Sequence, residues 1–193
     1  MSGRRSRFKD APLLAWGEAL RLRKEVQRRR RWRFFLVGLG AGLVLGAAIL
    51  PPTPRLLWNA SASAPIGLYQ VSPGAPVMTG DMVVARLPEP FRLLAAARRY
   101  LPRNVPLVKR VAAEAGDEVC ALGDQVFVNG RPVARRKKFD AMGRVMPSWQ
   151  GCRMLRRRQL FLLMDSADSF DGRYVGVSEG TDLIGKAQLL WRR

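Results

Sequence analysis

The chain reads as a mainly β domain behind one N-terminal transmembrane helix. Three observations predict this. Phe34–Leu50 is seventeen residues without a charge, stopped by Pro51-Pro52. From Leu68 onward short apolar runs are bounded by Pro and Gly, the texture of strands and turns. Past residue 105 there is no helical period, while Asn129-Gly130 is the strongest short hairpin signal. The expected organisation is a basic tail over 1–33, a membrane helix over 34–50 and a folded domain over 51–193, with 118–158 inserted as a small hairpin subdomain.

Asp10, closely followed by Pro12, marks a helix start. That helix takes in Leu13–Arg33 and closes on Arg28-Arg-Arg-Arg-Trp-Arg33. Residues 1–33 hold twelve Lys/Arg against three acids, close to half of the chain's net +19. Such a block is a solvated tail or a partner for the anionic headgroups of membrane lipids, at about 1 kcal/mol for each Lys/Arg near the surface. No nucleic-acid partner is expected. At 1.5 Å per residue the run from Phe34 to Leu50 spans roughly 25 Å, short for a bilayer. Trp32 suits an interfacial anchor, and the positive-inside rule leaves the tail in the cytoplasm and everything after Pro51 outside. A cleaved signal peptide is the rival reading, because Ser-Ala-Ser-Ala64 resembles a small-residue cleavage site. A 33-residue basic region is too long for that, and Pro65 would obstruct the cut. Gly38, Gly42 and Gly46 share one helix face, either as a pairing surface or as tolerated glycines.

Strands are expected at Leu68–Val71, Asp81–Leu87, Val105–Val111, Glu118–Cys120, Gln125–Val133, Leu160–Met164 and Ile184–Trp191, with a basic amphipathic helix over Pro90–Arg103. Arg135–Gly151 is polar and irregular. Cys120 and Cys152 flank the hairpin segment. Outside the membrane they are free to pair, which would stabilise by roughly 3–4 kcal/mol in the chain-entropy model; two buried free thiols are the alternative.

The chain has no histidine, which removes Ser-His-Asp triads, Cys-His pairs and His-based zinc sites. Two cysteines are too few for a structural zinc cluster, so neither metal nor cofactor is implied. If Ser63 is a nucleophile, a lysine must take its proton. Ser63 precedes a Pro65-x-Gly67 bend, where strain can push a hydroxyl out of a strand. Lys109 stands in an apolar strand with Pro106, Leu107, Val108 and Val111. A free lysine has a pKa near 10.4, and desolvation is what brings one toward neutrality. The other reading of Lys109 is an edge position with its amine snorkelling to water.

In order, the chain carries a membrane anchor, Ser63-Ala-Pro-Ile-Gly-Leu-Tyr69, Gly80-Asp81, Lys109-Arg-Val111 with Gly116-Asp117, and Ser169-Phe-Asp-Gly-Arg173. That order resembles bacterial type I signal peptidases, and within them the TraF-type conjugal transfer peptidases. The resemblance covers roughly residues 34–191. It implies a signal-peptidase-like β domain with a Ser-Lys dyad: Ser63 as nucleophile, Lys109 as general base and Ser61 as oxyanion donor. It also implies Ser169 orienting the lysine, with Asp171 and Arg173 bracing the site. The chain departs from the commoner pattern at Ala64-Pro65, at Gly172 in place of a serine, and at Asp165-Ser-Ala-Asp168.

The implied protein is a serine endopeptidase of the bacterial inner membrane. It is single-pass, with a cytoplasmic N-terminus and a periplasmic catalytic domain. Its substrate would be a pilin precursor or another preprotein with small residues before the cut. In conjugal relatives the acyl-enzyme is released by water or by the substrate's own amine, giving a circular product; both stay open here. A housekeeping signal peptidase is one alternative. A non-catalytic anchored module using Arg135-Arg-Lys-Lys138 or Arg156-Arg-Arg158 is another.

Overall fold

The computed structural model describes residues 11–49 and 55–193, and each of these stretches belongs to a separate compact unit. In the first, a single helix α1 (Ala11–Ile49) runs through Arg33 into the apolar tract without a break. The tail and the tract are thus one helix, since no proline stands at their junction to interrupt it. The expected start at Asp10 and stop at Leu50–Pro52 lie outside the described residues. Among the described residues no helix is long and apolar enough to cross a membrane. Arg33 bounds the uncharged run on one side, which is why its length was already marginal. Phe34, Phe35, Leu36, Val37, Leu39 and Leu43 are all exposed on it.

The second unit is built from two antiparallel sheets. In chain order its elements are β1 (Leu56–Asn59), β2 (Gly67–Ser72), β3 (Met82–Ala85), α2 (Glu89–Ala97), β4 (Leu107–Ala113), β5 (Glu118–Leu122), β6 (Gln125–Val128) and β7 (Arg131–Arg135). Then follow β8 (Gly151–Met154), β9 (Gln159–Leu163), α3 (Gly172–Val175), β10 (Ser178–Glu179) and β11 (Leu183–Arg192). The larger sheet has the order β1-β2-β11-β3-β4-β9-β10 and the smaller β7-β6-β5-β8.

Alternation along the strands sets the layers. Val84 and Val83 are neighbours on β3 and so point to opposite faces. Val84 joins Tyr69, Val71, Val108 and Met164 in one core, whereas Val83 joins Ala85, Val111, Leu160 and Leu162 in another. A third cluster ties the sheets together: Val119 and Val126 from the small sheet meet Ala113, Phe161 and Leu163 from the large one. In the small sheet Asn129 (φ 49°) and Gly130 (φ 74°) make the β6–β7 turn, a pair of left-handed conformations that Asn and Gly tolerate. Cys120 and Cys152 stand directly opposite each other in the β5–β8 register and are joined by a disulfide.

Three strands and one helix were not anticipated. β1, β8 and β10 are short, and β8 is exposed throughout, so none shows an apolar alternation. α3 is a single turn of four residues, too short to show a period. The helix expected over Pro90–Arg103 ends at Ala97. Arg99 adopts φ 60° and turns the chain, while Pro102 disfavours helical backbone at Leu101. The turn sends Tyr100 toward the cleft described next.

Candidate active site

Three segments converge at one end of the large sheet. The loop between β1 and β2 brings Ser61 and Ser63, β4 brings Lys109, the connection from β9 into α3 brings Ser169 and Asp171, and α3 itself brings Arg173. The bend after Ser63 requires glycine at 67 for a steric reason. A Cβ there would come 2.0 Å from the Trp191 carbonyl oxygen of β11.

Lys109 is 2% exposed. Its strand lies between β3 and β9, not at an edge, so the snorkelling reading fails: the amine is held at the floor of a cleft and does not reach out to bulk water. Lys109 Nζ donates to Ser63 Oγ at 2.9 Å and to Ser169 Oγ at 2.8 Å. Neither partner carries a charge, so the two hydrogen bonds replace only part of the hydration an ammonium loses. Burial therefore pulls Lys109 down to about 8; nearby Asp171 opposes the shift and Arg173 adds to it.

Asp171 does not reach the amine because it is already occupied. It accepts from Arg173 Nε at 2.8 Å and Nη2 at 3.1 Å, from the Arg173 amide at 3.1 Å, and from the Met164 amide at 3.1 Å. Arg173 in turn donates to the Met164 carbonyl at 2.5 Å. Both side chains are nearly inaccessible, 3% and 0% exposed. This locked pair caps α3 and fixes the backbone that carries Ser169. Glycine at 172 follows from the same packing: a Cβ there would lie 2.7 Å from the Leu162 carbonyl oxygen and 2.9 Å from the Phe161 ring. The serine common at that position in the resembled family has no room.

Ser61 Oγ lies 3.0 Å from Ser63 Oγ and accepts from the Ser63 amide at 3.4 Å. A hydroxyl and a backbone N–H thus flank the Ser63 oxygen, the donor types that stabilise an oxyanion. Ser63 also stands where two clefts meet. One, of about 460 Å³, is lined by Tyr100, Leu107, Lys137, Phe139, Met146 and Phe170 among others. The other, of about 450 Å³, is bordered by Ile66, Arg110, Met164, Asp165 and Arg192. An extended chain crossing Ser63 would have room on either side of the hydroxyl. The arrangement is suited to acyl transfer.

A profile of the family described as "Signal peptidase, peptidase S26" matches residues 28–192. The chain belongs to that family. It is therefore a serine endopeptidase, and its substrates are preproteins. A signal peptidase I from Enterococcus faecalis superposes with a TM-score of 0.35 at 16% identity, covering 58% of this chain and 97% of the other, too loosely to carry an argument. No curated protein matches the chain.

In this signal peptidase, sequence reasoning missed the cleft wall. Tyr100 donates to Asp140, whose carboxylate also accepts from Arg144 Nε at 2.7 Å and from the amides of Met142 and Arg144. Tyr100 also packs on Phe170, which stacks on Tyr174. Lys137 pairs with Asp168 at the rim. Tyr100 and Asp140 stand 40 positions apart and Lys137 and Asp168 31, and no local motif marks them.

Proposed function

We propose that Ser63 is the nucleophile and Lys109 its general base, in a membrane-anchored peptidase that matures a pilin precursor for conjugal transfer. The observation that carries the dyad is the 2.9 Å contact between Ser63 Oγ and an amine that burial holds near pH 8. In its neutral form Lys109 donates to Ser169 Oγ and turns its lone pair to the Ser63 hydroxyl, which donates to it. Ser63 Oγ attacks the scissile carbonyl as its proton passes to Nζ. Ser61 Oγ turns from Ser63 to the developing oxyanion, alongside the Ser63 amide. The ammonium of Lys109 then protonates the leaving amine, and water or the substrate's own amine resolves the acyl-enzyme. Ser169 orients the lysine; Asp171 and Arg173 brace the loop.

The pilin reading rests on the Ser-Ala-Pro-Ile-Gly-Leu-Tyr form of the serine motif and its likeness to the conjugal branch. Membrane attachment through 34–50 rests on the exposed apolar side chains of α1 and the arginines before them. It puts the tail over 1–33 against anionic headgroups in the cytoplasm and the peptidase domain of 51–193, with its insert at 118–158, in the periplasm.

The test is mass spectrometry of the pilin precursor from cells carrying the parent, Ser63→Ala, Lys109→Ala or Lys109→Arg. Cleaved product is expected only with the parent, because a guanidinium cannot act as a neutral base. A product one water lighter than the linear fragment identifies cyclisation. Cleavage that survives Ser63→Ala overturns the dyad. Cleavage of unrelated preproteins but not the pilin moves the enzyme to general secretion. C-terminal reporters active only in the cytoplasm overturn the topology.

A further inference from the structure

The loop bearing the two serines is shaped by a residue the mechanism above does not use. Asn59 is the last residue of β1, 7% exposed, and its carboxamide lies inside the bend that follows. Its Oδ1 accepts from the Ser61 amide at 3.1 Å. Its Nδ2 donates to the carbonyls of Ser61 at 3.0 Å, Ala64 at 3.2 Å and Pro65 at 3.0 Å. One side chain therefore grips the backbone on both sides of Ser63. The loop's own main chain offers little in its place: Ala64 N–H to Ser61 O is long, at 3.4 Å. Tyr69 adds a second hold where its hydroxyl donates to the Pro65 carbonyl at 2.9 Å.

We infer that Asn59 is a positioning residue for the reaction, with Tyr69 in support. It sets the curvature that aims the Ser63 hydroxyl at Lys109 and keeps the Ser63 amide and Ser61 hydroxyl on one side. The inference rests on Ser63 being the nucleophile. Nothing but Asn fits all four contacts. Asp has the same shape, but turns a carboxylate oxygen toward three carbonyl oxygens. Gln carries an extra methylene, and Ala leaves the carbonyls without a partner. An error of about 1 Å at a reacting centre is enough to cost on the order of 10²-fold.

The probe is p-nitrophenyl acetate on the purified full chain in detergent. Ser63 Oγ attacks the ester carbonyl, its proton goes to Lys109 Nζ, p-nitrophenolate leaves, and the acetylated Ser63 peptide is read by mass spectrometry. Asn59→Asp and Asn59→Ala should slow acetylation of Ser63 by about 10²-fold, at full burst amplitude and with an unchanged half-saturating ester concentration. Tyr69→Phe, which keeps the ring in the core, should slow it by about 3-fold to 10-fold. A role in stability alone gives the opposite split: amplitude falls with the folded fraction while the rate constant stays. That result, or rates within about twofold of the parent, overturns the inference. If the Asn59 variants do not fold, an unchanged rate in Tyr69→Phe overturns it. A parent that is not acetylated at Ser63 in a Lys109-dependent way overturns the nucleophile assignment instead.

Discussion

Two lysines line the same cleft and are driven in opposite directions. Lys109, on the floor, hydrogen-bonds through its amine only to hydroxyls, and burial pulls it down to about 8. Lys137, on the rim, is half exposed and pairs with Asp168, whose carboxylate holds it above the ordinary lysine range. The side chain is the same, so what differs is whether a carboxylate is within reach. The floor does contain one, Asp171, but Arg173 and two backbone amides occupy it. A base survives on the floor because its natural counter-ion is committed elsewhere.

The most severe way to break this contrast is Lys109→Met, which keeps the length and removes the amine. Acetylation of Ser63 should fall by at least about 10³-fold, the scale for losing one member of a catalytic unit. In the parent, activity should rise with pH and reach half its plateau near 8, since the reactive form is the neutral amine. Stability follows the same titration. The folded state binds the proton only below about 8, whereas the unfolded chain holds it to about 10.5. Between those values the unfolded state carries more protons, so stability of the parent rises with pH there and is lowest below about 8. The cost at neutral pH is roughly 3 kcal/mol, reduced on substitution by about 1 kcal/mol for each hydrogen bond lost. Lys109→Met should therefore unfold at higher urea than the parent at pH 7, by about 1 kcal/mol, and lose the advantage above pH 10. A less stable, inactive variant would mean that the floor is not a desolvated site.

The contrast sharpens with Asp171→Asn, which empties the floor of its carboxylate and leaves Arg173 buried without a counter-charge. Breaking one side of a buried pair costs about 3–5 kcal/mol, measurable by urea unfolding. The pH midpoint of acetylation should also move below 8, because Asp171 favours the charged form of Lys109 and Arg173 opposes it. An upward shift would contradict the account of why the base is neutral.

Much of this floor is legible in the amino-acid order, and the rim is not. Ser63, Lys109 and Ser169 are punctuated locally by Pro65 and Gly67, by an apolar strand and by a Ser-x-Asp-x-Arg spacing, and the fold brings them within hydrogen-bond reach. The Asn129-Gly130 hairpin is equally local. The cleft wall depends on Tyr100 meeting Asp140, and on Lys137 meeting Asp168. Those pairings exist only once the two sheets have packed. Asn59 is hidden differently: it is close to Ser63 in sequence, but an asparagine before a loop is usually read as a turn former. Its grip on three carbonyls appears only in the folded bend. Gly172 looks like a departure from the pattern until the Leu162 carbonyl is seen against it.

The mildest test removes the rim charge with Lys137→Met. The pair it breaks is open to solvent on both sides, 54% and 79% exposed, where water and salt screen the interaction. The main-chain contact at this position, from the Lys137 amide to the Tyr174 hydroxyl at 3.0 Å, is unaffected by the side chain. Unmasking Asp168 adds an uncompensated negative charge at the cleft mouth, which favours the protonated form of Lys109. The pH midpoint of Ser63 acetylation should therefore rise, by no more than about 0.3 unit at physiological ionic strength, and return to the parent value in high salt. A shift of a full unit, or one that persists in high salt, would mean that rim and floor share one electrostatic environment, and that the burial of Lys109 alone does not set its basicity.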